Sequence, residues 1–168
     1  MKRKFHVRCE VGEKLEMTSK TYLSPYFMMT DKEVKRYEAT DYNLVLEFMK
    51  KVTTLETVNP QIIEQSILIK QSDKVAGMVS FETFEQIGVI RYFIYDQHIV
   101  PDLLVNMFFE LYRSAKEKEI NQLVAIASHP YARQLFELLG FVEMKKTSHL
   151  NIPDLLKSDD VQLMSIKF

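Results

Sequence analysis

The sequence predicts a mixed α/β domain of three layers, with helices on both faces of a largely antiparallel sheet. Three observations predict it. Strand-like runs at Ile67–Gln71, Val75–Phe84 and Val89–Asp96 follow one another through short polar connections, as in an antiparallel meander. A long amphipathic pattern over Pro101–Lys118 then precedes Leu123–Ala127, a continuously apolar run that reads as a strand buried on both faces and paired in parallel. Finally, Ser128–Phe141 (SHPYARQLFELLGF) combines a turn at Pro130, an apolar-faced helix, and Gly140-Phe141 handing over to another strand.

The remaining elements follow in chain order. Lys4–Val11 alternates like a strand, and Tyr22–Met29 is aromatic and Met-rich around Pro25. Residues 1–34 are read as an extension packed on the domain or across a homodimer, and 35–168 as the domain itself. Val34–Ala39 reads as a short strand, and Thr40-Asp41 as the cap of a helix running from Tyr42 to Val52. Asn59-Pro60 opens a short helix through Gln65. Ser72-Asp73-Lys74 and Glu85–Gly88 are the turns of the meander. Strands near Phe141–Lys146 and Val161–Phe168 close the chain. With only 4 glycines, turns must rely on Asp, Asn and Ser.

Composition narrows the function. The 168 residues carry 22 basic and 23 acidic side chains, a net charge of −1. That balance gives no bulk field for nucleic acid or a membrane surface. The longest apolar runs are too short to span a bilayer, and MKRKFHVRCEVGEK lacks the apolar stretch of a secretory signal. Cys9 is the sole cysteine, so no intramolecular disulfide forms, in keeping with a cytoplasmic location. His6, His98, His129 and His149 are scattered without ligand spacing, so no metal site is expected.

From Val34 to Phe168 the chain resembles the GNAT superfamily of acyl-CoA-dependent N-acyltransferases. One part of the resemblance is Val89–Asp96 followed by the long helix ending AKEKEI, where that family places its cofactor-binding strand, loop and helix. The other is Ala127–Phe141, where His129, Ala132, Leu135, Phe136, Gly140 and Phe141 stand at the family's Asn, Ala, apolar, Tyr, Gly and Phe positions. The ending DDVQLMSIKF is similar to the family's final strand. The resemblance implies a sheet with one splayed parallel strand pair, and transfer of an acyl group from acetyl-CoA or another acyl-CoA to a small-molecule amine or a protein amino group.

It also implies a set of site residues. Phe93, Ile94 and Tyr95 would pair through their backbone with the pantetheine amides, as an added strand does. The diphosphate motif would fall on Ile99, Val100, Pro101, Asp102, Leu103 and Leu104. There the chain departs from the pattern: no glycine is present, Pro101 has no N–H, and Asp102 places a carboxylate in the first helical turn. So altered a loop is expected to bind the cofactor weakly or not at all. His129 would contact the pantetheine arm or cap its helix. Phe136 lacks the hydroxyl through which the family often protonates the leaving thiolate, which leaves Tyr131 as a stand-in acid. Base candidates are Asp96 and Glu82, with Glu85 and His98 beside them. Two readings stand: an N-acetyltransferase with an atypical loop, or a non-catalytic domain of the same fold that binds a ligand or protein.

Overall fold

The computed structural model describes residues 32–52, 58–145, 152 and 162–168. The expectations for Lys4–Val11 and Tyr22–Met29 lie outside the described residues. Seven strands form one sheet in the order β1-β2-β3-β4-β5-β7-β6. They are β1 Lys32–Arg36, β2 Ile67–Gln71, β3 Lys74–Phe84, β4 Ile87–Tyr95, β5 Gln122–Ala127, β6 Val142–Met144 and β7 Gln162–Lys167. The helices are α1 Tyr42–Val52, α2 Pro60–Ile63, α3 Pro101–Glu117 and α4 Pro130–Leu138. β4 and β5 are parallel and the other pairs antiparallel. This is the mixed three-layer arrangement the sequence predicts.

Alternation within the strands sorts side chains onto the two faces of the sheet. Ile67, Ile69, Val79, Phe81, Ile90 and Phe93 face α3 and α4, where Met107, Phe108, Leu111, Ala132 and Phe136 cover them. Leu68, Met78, Tyr92 and Ile94 face the other way, under Val45, Phe48 and Met49 of α1 and Ile62 and Ile63 of α2. Parallel pairing makes β5 dry on both sides: Leu123, Val124 and Ala125 are fully buried.

Several boundaries differ from expectation. β1 begins at Lys32, because its register with β2 runs from Lys32↔Gln71 to Arg36↔Ile67. A single 3-10 turn, Ala39–Asp41, precedes α1. Asp41 does not cap that helix from solvent. It is 2% exposed and accepts from Glu38 N–H at 3.1 Å, Lys35 Nζ at 3.1 Å and Lys70 Nζ at 3.2 Å. Gly88 was expected in a turn and lies instead inside β4. The reversal needs only Glu85 and Gln86, with Glu85 at φ 54. A Cβ on Gly88 would sit 2.6 Å from Leu123 Cδ2, so glycine here answers a packing demand at the β4–β5 seam.

The helix ends follow the predicted logic with one substitution. After α4, Gly140 at φ 92 donates to Glu137 O and Phe141 N–H to Phe136 O at 2.9 Å, a Schellman ending. α3 ends in the same way, with Ile120 N–H bonded to Ala115 O, yet the left-handed residue is Glu119 at φ 59. Glycine scarcity is met here by glutamates as well as by the expected Asp, Asn and Ser.

Candidate functional site

The sheet divides at one point. β4 pairs with β5 only over Ile87↔Gln122, Gly88↔Leu123 and Val89↔Val124. Beyond Val89, β4 continues to Tyr95 with β3 as its strand partner, and among the described residues no strand lies against its β5-facing edge. A bulge lies at this fork: Val79 opposes Phe93, but Phe81 opposes Ile90, so β4 uses one extra residue around Arg91-Tyr92. Bulges bend a strand and increase its twist, which carries the upper half of β4 away from β5. Because β4 and β5 are parallel, α3 and α4 both start at the open end of the fork.

The backbone of Phe93, Ile94 and Tyr95 lines the open edge. The Phe93 and Ile94 side chains are core, at 2% and 5% exposure. Phe93 packs edge-on against Phe108 at 5.1 Å between centroids. Phe136 is equally interior, 1% exposed and 5.2 Å from the Phe141 ring. A ring in that position supports the α4–sheet packing and has no hydroxyl to give.

The turn between β4 and α3 is closed on itself. Asp96 Oδ1 accepts the His98 N–H at 2.8 Å, and Asp96 O accepts the Ile99 N–H at 3.0 Å. Val100 is the N-cap of α3 without a side-chain cap bond, Pro101 is its first residue, and Leu103 N–H bonds back to Val100 O at 3.1 Å. Ile99 and Leu104 are buried, Leu103 is half-buried, and Val100 and Asp102 are exposed. A CoA placed as the resemblance implies would meet two different surfaces. The open β4 edge suits the amides of a pantetheine arm. The α3 N-terminus does not suit a diphosphate: two of the loop's N–H groups are engaged by Asp96, Pro101 offers none, and Asp102 opposes anions.

At the start of α4, His129 caps the helix. Its Nδ1 lies 3.5 Å from the Tyr131 N–H, and the two rings stack at 5.3 Å with an interplanar angle of 11°. Tyr131 is 57% exposed, so its ring stands on the surface. Asp96 and Glu82 are likewise far apart. Glu82 pairs with Val89, the last β4 residue joined to β5. Asp96 lies seven residues further along, about 20 Å at strand rise.

Three residues at the fork escaped the sequence reading. Arg91, 6% exposed, donates from Nε to Glu82 Oε2 at 2.7 Å and sits over the Phe84 ring at 5.7 Å. Tyr92 is buried beside it, and burial pushes its phenol above the usual range despite the Asn59 backbone N–H and Arg91 nearby. Ser80, on β3 opposite the bulge, is fully buried with no partner for its Oγ among the described residues. The available signal was a lone arginine inside the otherwise uncharged run VIRYFIY.

A separate cavity of about 630 Å³ runs along the second half of α3, between Phe109, Arg113 and Lys116 and the end of β7 at Phe168. It lies away from the fork and from every predicted site residue.

Comparison with solved structures matches this arrangement of strands and helices. The N-acetylglutamate synthase from Neisseria gonorrhoeae, solved with coenzyme A and N-acetyl-glutamate, superposes with a TM-score of 0.62 at 12% identity over 81% of this chain and 35% of that one. The chain has the GNAT acetyltransferase fold. A GNAT-family acetyltransferase from Streptococcus pneumoniae gives a TM-score of 0.62 at 18% identity, covering 82% of this chain and 99% of that one. The GNAT domain of PAT from S. lividans gives 0.63 at 9% identity, covering 82% and 90%. The chain thus spans about a third of the Neisseria enzyme and nearly all of the Streptococcus one. No protein-family profile matches the sequence, and no curated protein matches it. No helix among the described residues is long and apolar enough to cross a membrane.

Proposed function

We propose that the protein is an N-acyltransferase that takes an acyl group from a pantetheine thioester and passes it to an amine, either a small molecule or a protein amino group. The observation that carries this reading is the fork: a bulged β4 whose backbone edge is open beyond Val89. A bound acyl thioester would supply the electrophilic carbonyl. The amine nitrogen forms the new C–N bond, the C–S bond breaks, and the proton the amine loses ends on the thiol.

The chain's own contribution centres on β3 and β4. Peptide groups of Phe93–Tyr95 align the donor arm. Glu82 is the base favoured by position, because it flanks the fork and its Oε1 has no hydrogen-bond partner among the described residues. Arg91 holds the other oxygen and so fixes the carboxylate. Asp96 is occupied as the pivot of its turn. The atypical loop belongs to this reading, as do a cytoplasmic setting and residues 1–34 packed on the domain or across a homodimer. A second reading, a non-catalytic ligand-binding domain of this fold, draws on Phe136, which leaves the interior of α4 without a proton donor.

The test is amine-dependent release of thiol from a saturating acyl thioester, followed across an amine panel with wild type and Glu82→Gln. The transferase reading expects release that saturates with amine and falls about 10²-fold or more in the variant. Donor binding without release supports the binding-domain reading, and absence of both binding and release sinks the transferase reading.

A further inference from the structure

Resting on the transferase reading, the β4–α3 turn specifies which part of the donor the protein recognises. We infer that the donor is recognised through its acyl-pantetheine end alone, and that the nucleotide diphosphate of CoA, opposed by carboxylates at the α3 N-terminus, adds no affinity.

Four features of the turn combine to this effect. An anion at a helix N-terminus is held by backbone N–H groups that converge on it and by the positive end of the helix dipole. Here the His98 and Ile99 N–H groups are both bound by Asp96, at 2.8 and 3.0 Å. Pro101 removes a third donor at the first helical position. Leu103 N–H turns back to Val100 O. Asp102, exposed in the first turn, then sets a carboxylate where the phosphates of a CoA would arrive, and Asp96 adds a second on the same loop. Nor does the neighbouring helix start supply a compensating cation: Arg133 of α4 is engaged by Glu137 at 2.8 Å, with Glu143 at 3.7 Å. By contrast, the open β4 edge acts through peptide groups and is indifferent to these substitutions. One end of the donor therefore meets a strand-like surface, and the other meets two carboxylates.

The consequence is an unusual order of affinities. An enzyme that grips the diphosphate binds acetyl-CoA far more tightly than S-acetyl-pantetheine, since a single charge-assisted hydrogen bond to phosphate is worth about ten-fold or more. This chain should bind S-acetyl-pantetheine, S-acetyl-4′-phosphopantetheine and acetyl-CoA within about ten-fold of one another. Acetyl-CoA should not lose affinity as ionic strength rises, because salt screens a repulsion here rather than an attraction.

Calorimetric titration of the full chain with these three compounds tests the inference. Comparable affinities support it. Acetyl-CoA tighter by about ten-fold or more than acetyl-pantetheine overturns it while leaving the transferase reading in place. If none of the three binds, the transferase reading fails and takes the inference with it. Asp102→Asn, checked by thermal melt to be folded, adds a second arm. It should raise acetyl-CoA affinity by about two- to five-fold at low salt and leave acetyl-pantetheine unchanged. An unchanged acetyl-CoA affinity in that variant removes the diphosphate from the α3 N-terminus and overturns the inference by its premise.

Discussion

Under α3 and α4 the sheet meets Phe93, Phe108, Phe136 and Phe141, none more than 2% exposed, with ring centroids 5.1–6.3 Å apart. The opposite face, beneath α1 and α2, is apolar too, yet it admits Ser80, Arg91 and Glu82 at the fork and Asp41 at its edge. One face is sealed by shape. The other tolerates charge, which a buried surface does only where each ion is paired. The difference teaches where chemistry can reside in this fold. The open edge between β4 and β5 reaches both faces, and among the described residues the α1–α2 side places the Glu82–Arg91 ion pair beside it.

Mutations should separate the two faces. Phe136→Ala removes a ring from the centre of the aromatic cluster and should cost about 3–5 kcal/mol by denaturant titration. Retention of wild-type stability would show that the dry face is not the packed one. Arg91→Leu should cost about 2–3 kcal/mol by leaving Glu82 without its partner, a value reduced because that carboxylate keeps some contact with water. Arg91→Leu combined with Glu82→Gln should recover most of this loss, and a simple sum of the two single effects would break the comparison.

Asp41→Asn comes next, at about 1–3 kcal/mol. Burial opposes ionisation of Asp41, but the Lys35 and Lys70 ammonium groups and the Glu38 N–H outweigh it and hold the carboxyl below the usual range. Its contribution is therefore complete above its unfolded value and disappears as pH falls through the lower folded value. Wild type should lose stability in that acid window more steeply than Asp41→Asn, as thermal melts across acidic pH will show. The smallest effect is expected from Glu119→Gly, which relieves the left-handed backbone at φ 59 and should stabilise by up to about 1 kcal/mol.

Element order was legible because hydrophobic periodicity is local. The runs VNMFFELY and LVAIA announce a helix and a doubly buried strand without reference to any partner. Gly88 was misread because its reason lies across the sheet, in Leu123, and a turn and a close approach use the same residue. The bulge at Arg91-Tyr92 is a matter of register, which a single strand does not encode. In the site, the lack of glycine over Ile99–Leu104 and the Phe at position 136 were visible at once. The capture of two loop N–H groups by Asp96, and the pairing of Glu82 with Arg91, depend on contacts that only folding creates.

Strand β1 carries a consequence beyond the site. Four of its five residues, Lys32, Glu33, Lys35 and Arg36, are charged, and the Arg36 guanidinium is fastened to Glu110 and Glu117 of α3. An edge strand is where sheets of separate molecules grow together, and charges along it make such growth costly. Among the described residues β1 is the outermost strand of the sheet, and its charges guard that edge against such growth. Replacing Lys32 and Glu33 with threonine, while keeping Lys35 for Asp41 and Arg36 for α3, should leave the fold unchanged but increase light scattering at high protein concentration.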